Sequence, residues 1–294
     1  MSLSSRYRPD RTSDYSHRFH AGNVGDVWKH VVLIEVLRRA RELGAVSYVE
    51  SHAGEGEYAL GPTGEWTEGI GRLWQAAAGA ESDAEADAVH RYTALCRSLG
   101  SGAARPERYP GSPLLARTVL GPEAELTLFE REAEACERLR AVLGEGATTQ
   151  IISADGLAAL PETLRAAEGR DDGGVVALVD PPFTQKPDWT VIPEVVIAAA
   201  QATTRATILF WYPVKSLTRP NAMIARCKAA GVSATVAELV TTPLEHQRQR
   251  LNGSGVVLVR PPAGTLAAIA AAAAPLGERC ATRAGVWSLR LASW

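Results

Sequence analysis

Gly173-Gly-Val-Val-Ala-Leu-Val-Asp180-Pro-Pro-Phe183 is the stretch of sequence that decides the fold. A run of apolar, mostly β-branched residues stops here at an aspartate and two prolines. Such a run is typical of a parallel-sheet strand that is buried on both faces. Because proline cannot donate to the hydrogen-bond ladder, the chain is expected to leave the sheet at Asp180. Ligands of open α/β sheets bind outside the carboxyl ends of the strands, so the stretch predicts a site for a flat, hydrogen-bonding substrate.

Strands and helices alternate through most of the chain. Helical patterns separate most of the predicted strands, which indicates right-handed crossovers, a mostly parallel sheet and a three-layer αβα fold. The last two predicted strands have no helix between them, so one of the two is expected to run antiparallel. Ser112 and Pro113 suit the N-cap and the first position of a helix. The predicted strands cover residues 46–50, 126–130, 149–153, 175–180, 206–212, 233–240 and 255–260.

One segment breaks the alternation. After the first predicted strand, two helices at residues 66–78 and 83–99 and a loop at 100–110 come before the next strand. We therefore predict one domain over residues 15–294, with a helical insertion at about 60–110. Residues 1–14 are polar and carry several arginines, which is typical of a flexible arm.

The composition limits the class of protein. The chain has 294 residues, a net charge of -2 and a pI of about 6.3, which argue against a sequence-blind nucleic-acid coat but allow an enzyme with a local basic patch. Its 4 cysteines form no CxxC pair, as expected of buried thiols in a reducing cytosol. The N-terminus resembles no secretory signal, and the longest apolar tract is too short to span a bilayer. A cytoplasmic protein with no membrane contact is expected.

The Asp180-Pro-Pro-Phe183 motif suits chemistry on an adenine amine. That amine is a poor nucleophile because its lone pair is delocalised into the ring. The carboxylate of Asp180 and the carbonyl of Pro181 can accept its two hydrogens and orient it. Phe183 offers a stacking face worth about 1–3 kcal/mol per base. The alternative is a strand-ending turn whose aspartate caps the next element.

A glycine turn and two acidic strand ends suggest a second ligand. Ala53-Gly54-Glu55-Gly56 is a glycine turn after a strand, Glu130 could bind ribose hydroxyls, and Asp155 could accept from an adenine amine. The acids around this turn disfavour a pyrophosphate cofactor and favour a neutral or cationic nucleoside such as S-adenosylmethionine. Each acid could instead cap a helix, and an isolated G-x-G is often only a tight turn.

Four histidines and several cations lie within the first 52 residues. The histidines at 17, 20, 30 and 52 match no compact ligand set, so no metal is predicted. Lys29 and the arginines of the first 20 residues could meet phosphates, or could belong to a solvated tail. Arg248 and Arg250 could form a second contact.

Taken together, these motifs resemble one family, the ribosomal RNA large-subunit methyltransferase J (RlmJ) family. The family methylates the exocyclic N6 amine of one adenine in 23S rRNA, and older names link it to the use of external DNA. The matching stretches run across nearly the whole chain, from Tyr15-x-His-x-Phe-His-Ala-Gly-Asn23 through Asp26-Val-x-Lys-His30, Ser51-His-Ala-Gly-x-Gly-x-Tyr58, Tyr109-Pro-Gly-Ser-Pro113, Asp155-Gly156, Asp180-Pro-Pro182 and Trp211-Tyr-Pro-Val214 to Val256-Val-Leu-Val-x-Pro-Pro262.

The resemblance implies a Rossmann-like, S-adenosylmethionine-dependent methyltransferase fold with an inserted helical subdomain. It implies that Asp180 is catalytic, with Pro181 and Phe183 beside it. The residues implied or proposed to bind S-adenosylmethionine are Lys29, His30, His52, Gly54, Ser112, Glu130, Asp155 and Gly156. Those near the adenine or the RNA are Tyr15, His17, Lys29 and Phe183. The family's usual Asp-Pro-Pro-Tyr is Asp-Pro-Pro-Phe here, and the arm before Tyr15 is longer than expected.

The function predicted from the sequence is direct methyl transfer to an adenine of 23S rRNA, with no covalent intermediate. The expected substrate is protein-free rRNA or an early assembly intermediate, and the expected state is a monomer. The alternatives are a DNA adenine-N6 methyltransferase and a non-catalytic nucleic-acid-binding protein linked to external DNA. The incomplete glycine fingerprint disfavours a nicotinamide dehydrogenase.

Overall fold

An eight-stranded sheet lies at the centre of the structure, a computed structural model that describes residues 17–44, 46–76, 87–102, 104–168, 173–244 and 251–294. The strands are β1 Val46–Glu50, β2 Glu57–Ala59, β3 Arg108–Pro110, β4 Leu126–Glu130, β5 Thr149–Ser153, β6 Gly174–Val179, β7 Thr207–Val214, β8 Ala234–Val240, β9 Gly253–Val259 and β10 Ser288–Ser293. The helices are α1 His17–His20, α2 Val24–Glu42, α3 Ile70–Ala76, α4 Ala88–Leu99, α5 Ser112–Leu120, α6 Ala133–Leu143, α7 Gly156–Glu168, α8 Asp188–Ala202, α9 Thr218–Ala229 and α10 Thr265–Cys280.

The sheet is mostly parallel, as predicted. Its order is β10-β8-β9-β7-β6-β1-β4-β5, and the pairs from β5 through β4, β1 and β6 to β7 are all parallel. β9 runs antiparallel to both β7 and β8, which confirms the prediction for the last two strands of the pattern. The prediction that residues 255–260 form the last strand along the chain is wrong, because β10 follows β9 and pairs antiparallel with β8 at the edge of the sheet.

The strand order reverses between β1 and β6. From β1 the chain proceeds outward to β4 and β5, and it then returns to place β6 on the other side of β1. The backbone N–H of Ser51, just after β1, still donates to the carbonyl of Leu178 in β6 at 3.1 Å. Open α/β sheets bind ligands outside the carboxyl ends of the strands at such a reversal. The motifs that follow β1 and β6 therefore face one crevice.

Helices cover both faces of the sheet and complete the three predicted layers. α7, α8 and α9 pack on one face, and α2, α5, α6 and α10 pack on the other. α2 is buried on nearly all sides because α4, α5 and α10 cover the face that points away from the sheet. The indole N–H of Trp28 in α2 donates to the carbonyl of Ala237 in β8 at 3.1 Å. α2 is thus fixed against the sheet.

The segment between β1 and β4 carries the extra helices. β2 and β3 form a small antiparallel pair at its ends, and α3 and α4 lie between them; residues 77–86 are outside the described part of the chain. Trp66, Ile70 and Tyr92 are buried in the same hydrophobic cluster as the residues of α2 and α10. The segment therefore shares the main core. Its designation as a separate helical subdomain remains a prediction.

Two local predictions can be compared directly with the structure. Gly111, not Ser112, is the N-cap of α5, because the hydroxyl of Ser112 donates to a buried carboxylate of Glu50 instead. All 4 cysteines are free and buried, as predicted. Within the described ranges, no helix has both the length and the apolar character needed to cross a bilayer. The predicted arm, residues 1–14, lies outside these ranges.

Candidate active site

Asp180 lies at the end of β6 and forms an ion pair with a buried lysine. The ammonium of Lys29 lies 2.5 Å from Oδ2 of Asp180 and 2.7 Å from Oδ1 of Asp26. Only 6% of the Lys29 side chain and 17% of the Asp180 side chain are exposed. Asp180 therefore keeps one face toward the crevice while Lys29 holds the other.

The first turn of α2 orients this lysine. The side chain of Asn23 caps α2 by accepting from the backbone N–H of Asp26 at 2.9 Å. Oδ2 of Asp26 accepts from the backbone N–H of Gly22, also at 2.9 Å. The Asn23 amide donates to Glu65, which also contacts the ring of His20. The capped helix start therefore fixes the carboxylate that holds Lys29.

The charges of this group stabilise one another. Burial acts to lower the pKa of Lys29, but the carboxylates of Asp180 and Asp26 outweigh burial and raise it above the ordinary value. Burial acts to raise the pKa of Asp26, and the ammonium of Lys29 outweighs burial and lowers it. Lys29 is therefore a permanent cation that bridges the carboxylates of Asp26 and Asp180.

A cluster of aromatic rings, here called the aromatic wall, lies beside Asp180 and consists of Phe183, Trp189, Phe210 and Trp211. The ring of Phe183 lies 4.4 Å from Trp189, 6.1 Å from Phe210 and 6.3 Å from Trp211, measured between centroids. The Lys29 ammonium lies 5.6 Å from the centroid of the Trp211 ring. Phe183 has a φ of 49°, a conformation that is strained for an aromatic residue. Strain of this kind is typical of functional sites, where surrounding contacts hold it.

The glycine turn after β1 is tied to the end of β4. Oε2 of Glu130 accepts from the backbone N–H of Gly54 at 2.9 Å. Oε1 of Glu130 accepts from the N–H groups of Arg131 and Glu132 at 2.7 and 2.9 Å, so Glu130 also holds the two residues that lead into α6. Gly54 has a φ of +62°, and a Cβ there would lie 2.2 Å from the hydroxyl of Tyr58. Only glycine fits this turn.

Asp155 and Gly156 bring the start of α7 close to the end of β1. Oδ1 of Asp155 accepts from the backbone N–H groups of Leu157 and Ala158 at 3.1 and 3.2 Å. A Cβ at Gly156 would lie 2.3 Å from the carbonyl oxygen of Ser51. Gly156 therefore permits a close approach of two backbones, and Asp155 is held as a helix cap.

His52 marks the place where the acidic strand ends meet. Its Nδ1 lies 2.8 Å from the hydroxyl of Ser51. Burial lowers the pKa of His52 below its ordinary value. The carboxylates of Asp180, Glu130 and Asp155 lie close enough to oppose that shift. The structure thus brings the three predicted acids to one crevice.

Glu50, at the end of β1, is a buried acid that the sequence reasoning missed. The oxygens of its carboxyl group accept from the hydroxyl of Ser112 at 2.5 Å and from that of Tyr48 at 2.9 Å. Burial raises the pKa of Glu50 to about 8, although both hydroxyls act to lower it. The signal in the sequence was an acid at the carboxyl end of the first strand, next to the glycine turn. Glu50 holds Ser112 in place from behind the crevice.

His30 is buried and has one unpartnered nitrogen. Its Nδ1 lies 2.8 Å from the hydroxyl of Tyr109, which lies 3.0 Å from the hydroxyl of Tyr92. Burial and the nearby Lys29 lower the pKa of His30 to about 3, so the ring is neutral. Among the described residues, its Nε2 has no hydrogen-bond partner. A phenol is a better donor than an imidazole N–H, so we infer that Tyr109 donates to Nδ1 and that Nε2 carries the proton.

Comparison with known proteins identifies the family. The profile described as "Ribosomal RNA large subunit methyltransferase D, RlmJ" matches residues 44–293. The chain belongs to the RlmJ family. The ribosomal RNA large subunit methyltransferases J of Haemophilus influenzae and Escherichia coli are both 31% identical to it, over 256 and 255 residues, which cover 84% of this chain and 87% of each relative. RlmJ membership confirms the predicted family and the prediction of a methyltransferase.

A solved structure supports the fold. The protein LPL1258 of Legionella pneumophila is 23% identical to this chain and superposes with a TM-score of 0.81, covering 93% of this chain and 98% of that one. Together with RlmJ membership, this likeness agrees with the predicted Rossmann-like methyltransferase fold.

The structure gathers most of the predicted RlmJ site residues around one crevice. His30 and Ser112 are buried next to this crevice. The residues around the carboxyl ends of β1, β4, β5 and β6 are Lys29, His52, Gly54, Glu130, Asp155, Gly156, Asp180, Pro181 and Phe183. Tyr15 lies outside the described residues, and so does the side chain of His17. Within the described ranges, no group of three or more acids, histidines and cysteines could hold a metal ion. The roles of the individual residues remain predictions.

Proposed function

We propose that the protein transfers a methyl group from S-adenosylmethionine to the N6 amine of one adenine in 23S rRNA, as protein-free rRNA or an early assembly intermediate. The observation that carries this proposal is the Asp180 carboxylate, which is held by Lys29 beside the aromatic wall and opens to the glycine-lined crevice. The names of the two curated relatives support ribosomal RNA as the substrate. A cytoplasmic monomer is the expected form.

The crevice fits S-adenosylmethionine, which supplies an electrophilic methyl group when bound. Gly54 and Gly156 keep the turns that border the crevice tight, because a Cβ at either position would clash with Tyr58 or Ser51. The unpartnered Nε2 of His30 offers a buried hydrogen-bond donor. The acids of the crevice suit a cationic ligand, and their surplus over basic groups disfavours a pyrophosphate.

The chain's own residues orient the target amine. Among the described residues no donor contacts Oδ1 of Asp180, so this oxygen can accept one amine hydrogen, and the carbonyl of Pro181 can accept the other. Accepting both hydrogens localises the amine lone pair and points it across the crevice. Because Lys29 holds Oδ2 of Asp180 and leaves Oδ1 open, we infer that Asp180 acts as an oriented acceptor of an amine hydrogen. No cysteine nucleophile is needed.

The target base must leave its stack to reach Asp180. In A-form RNA the amine edge lies in a deep, narrow groove that side chains cannot enter. Flipping costs a few kcal/mol, and stacking against the ring of Phe183 would return about 1–3 kcal/mol. A loop or single-stranded adenine is therefore the favoured target.

Replacing Asp180 tests the proposal. Asp180→Asn should bind S-adenosylmethionine with unchanged affinity in calorimetry and lose about 100-fold or more of the methylation rate, because the amide loses the charge-assisted acceptor. Asp87→Asn is the matched control, because Asp87 caps the distant α4 and asparagine caps a helix equally well. A normal rate for Asp180→Asn would refute the assignment.

The choice of substrate is tested with tritiated methyl groups. Incorporation into protein-free 23S rRNA and not into duplex DNA is expected. Incorporation into duplex DNA alone would identify the DNA methyltransferase alternative. Failure to bind S-adenosylmethionine in calorimetry would favour the non-catalytic alternative.

A further inference from the structure

A set of lysine and arginine side chains has no partner within the described part of the chain. Most basic side chains there form an ion pair, a hydrogen bond or a contact with an aromatic ring. The exceptions with no such contact among the described residues, all of them exposed, are Arg131, Lys186, Lys215, Arg219, Arg279 and Arg283. Unpaired cations are the residues most available to a partner.

These unpaired cations all lie at the end of the sheet where the parallel strands finish. Arg131 follows β4, Lys186 follows β6, and Lys215 and Arg219 follow β7. α10 runs back to this same end, where the backbone N–H of Thr282 donates to the carbonyl of Thr241, just after β8. None of them lies at the opposite end.

Hydrogen bonds connect the segment after β7, which carries Lys215, to the segment after β8 and to the segment after α10, which carries Arg283. The side-chain amide of Asn252 donates to the carbonyl of Lys215 at 3.1 Å. The carbonyl of Asn252 accepts from the N–H of Thr241 at 2.9 Å, and Thr241 accepts from Thr282 at 3.0 Å. Lys215 and Arg283 therefore stand on one connected surface.

The described connections on this side of the crevice carry charge of one sign. These connections contain four cations and no aspartate or glutamate, and they cover residues 181–187, 215–220, 241–244, 251–252 and 281–287. The crevice acids Glu130 and Asp155 follow β4 and β5, on the other side of β1. The mouth of the site is thus divided into an acidic half and a basic half.

The basic half borders the place where the target base would lie. Lys186 comes three residues after Phe183, in the same loop. Phe183 contacts Trp211, and β7 continues from Trp211 to Val214, directly before Lys215. Lys186 and Lys215 therefore lie in segments that continue directly from the aromatic residues beside Asp180.

We propose that Lys186, Lys215, Arg219 and Arg283, here called the basic rim, dock the phosphates of the RNA strand on either side of the target adenine. This inference rests on the proposed function. Exposed cations on a shared surface bind phosphates with little sequence preference, and adjacent aromatic rings stack on unpaired bases. The combination fits flexible, single-stranded RNA better than a regular duplex, whose bases are not free to stack on protein.

Neutralising part of the rim tests the proposal. The dissociation constant of the full-length Lys215→Ala/Arg219→Ala variant for in vitro transcribed 23S rRNA is measured from 50 to 200 mM KCl. Log affinity falls with log salt, and each lost phosphate contact makes this negative slope shallower by about 0.7 to 0.9. The slope of the variant should therefore be about 1.5 shallower than that of the wild type. At fixed salt the KM for RNA should rise about tenfold, while kcat and S-adenosylmethionine affinity stay unchanged.

The matched control removes two cations from the opposite end of the molecule. Arg165 and Arg226 lie late in α7 and α9, are exposed, and pair with Glu162 and Glu194. Arg165→Ala/Arg226→Ala changes the net charge by the same amount and should leave the salt slope unchanged. If the salt dependence of RNA binding weakened equally in both variants, only the net charge would matter. That result would overturn the proposal that the basic rim docks the RNA.

The remaining outcomes separate the rim from the proposed function. If the salt slope of the rim variant is unchanged and the wild-type protein still methylates rRNA, the proposal for the basic rim is overturned and the proposed function stands. A rim-dependent slope, with no rRNA methylation by the wild type, supports the rim and refutes the proposed function. Stronger rim-dependent binding to duplex DNA or to anionic phosphatidylglycerol vesicles than to RNA overturns the choice of partner.

Discussion

Among single residues, His30 carries the most specific chemical expectation. Its neutral ring has Nδ1 beside Tyr109 and a buried Nε2 with no partner in the described part of the chain. Tyr92 supports Tyr109 from α4, so the two phenols form a short buried chain that ends on the imidazole. If Tyr109 donates to Nδ1, the proton must sit on Nε2, ready for an acceptor atom of a bound ligand.

We predict that Tyr109→Phe weakens S-adenosylmethionine binding about fivefold, which corresponds to one hydrogen bond of about 1 kcal/mol. Without the hydroxyl of Tyr109, the proton of His30 is no longer held on Nε2 and can move to Nδ1. Calorimetry measures the affinity, and nitrogen-15 NMR of the ligand-free protein reads the tautomer directly. Tyr212→Phe is the control, since the hydroxyl of Tyr212 contacts Glu238 in β8 instead. A mixture of tautomers already present in the wild type would contradict the mechanism.

Residue types were more predictable than their pairings. The stretch ending at Asp180 predicted an acid at the edge of the sheet, because proline forces the chain out of the ladder. The partner of Asp180 could not be read in the same way, because Lys29 lies 151 residues earlier. The positive φ of Phe183 also leaves no trace in the sequence, because aromatic residues rarely adopt it.

Among the secondary-structure elements, the end of β1 depends on a buried acid. The pKa of Glu50 is raised to about 8 by burial, whereas an unfolded chain releases this proton near 4.5. Between these two values the folded protein holds the proton more tightly than the unfolded chain. The contribution of Glu50 to stability is therefore fully present below about pH 4.5 and is lost as the pH rises to about 8.

We predict that Glu50→Gln makes the free energy of unfolding less dependent on pH. From pH 5 to pH 8, the wild type should lose on the order of 3 kcal/mol more than the variant, at about 1.4 kcal/mol per pKa unit. Urea denaturation at the two pH values measures the difference. Glu162→Gln, on the exposed face of α7, should follow the wild type. A parallel fall in wild type and Glu50→Gln would mean that Glu50 ionises normally.

Elements with a strong local pattern were predictable, and those defined by tertiary pairing were not. β1, β4 and β5 have the predicted limits because each is an apolar run between turn signals. β2 and β3 have three residues each, and β10 is a half-exposed edge strand, so their sequences carry little signal. Ser112 was expected to cap α5, but a buried acid 62 residues away takes its hydroxyl.

In the whole molecule, the extra helical segment is joined to the sheet through α2. Glu35 in α2 is fully buried and accepts from Arg91 in α4 at 2.6 Å, and it also pairs with Arg39 in its own helix. Residues of α3 and α4 lie in the same core as α2 and α10. The sequence predicted that helices interrupt the sheet, but it held no sign of this attachment, because the charges that form it lie 56 residues apart.

We predict that Arg91→Leu lowers the free energy of unfolding by about 3 kcal/mol, because it leaves the buried Glu35 short of a partner. The double variant Glu35→Leu/Arg91→Leu should recover much of this loss, since it removes the charge together with its partner. Urea denaturation followed by tryptophan fluorescence and by circular dichroism measures both. Because the segment shares the main core, the two signals should report a single transition in every variant.

Exposed ion pairs provide the control for this last prediction. Arg165→Ala breaks a surface pair with Glu162 and should cost less than about 1 kcal/mol, because solvent screens both charges. A cost for Arg91→Leu as small as that would mean that Arg38 and Arg39 satisfy Glu35 without Arg91. Two separate transitions in the wild type would mean that the helices between β1 and β4 fold independently of the sheet. A single transition with a large cost would instead mean that the Glu35–Arg91 contact couples this segment to α2, the helix that also holds Lys29 against Asp180.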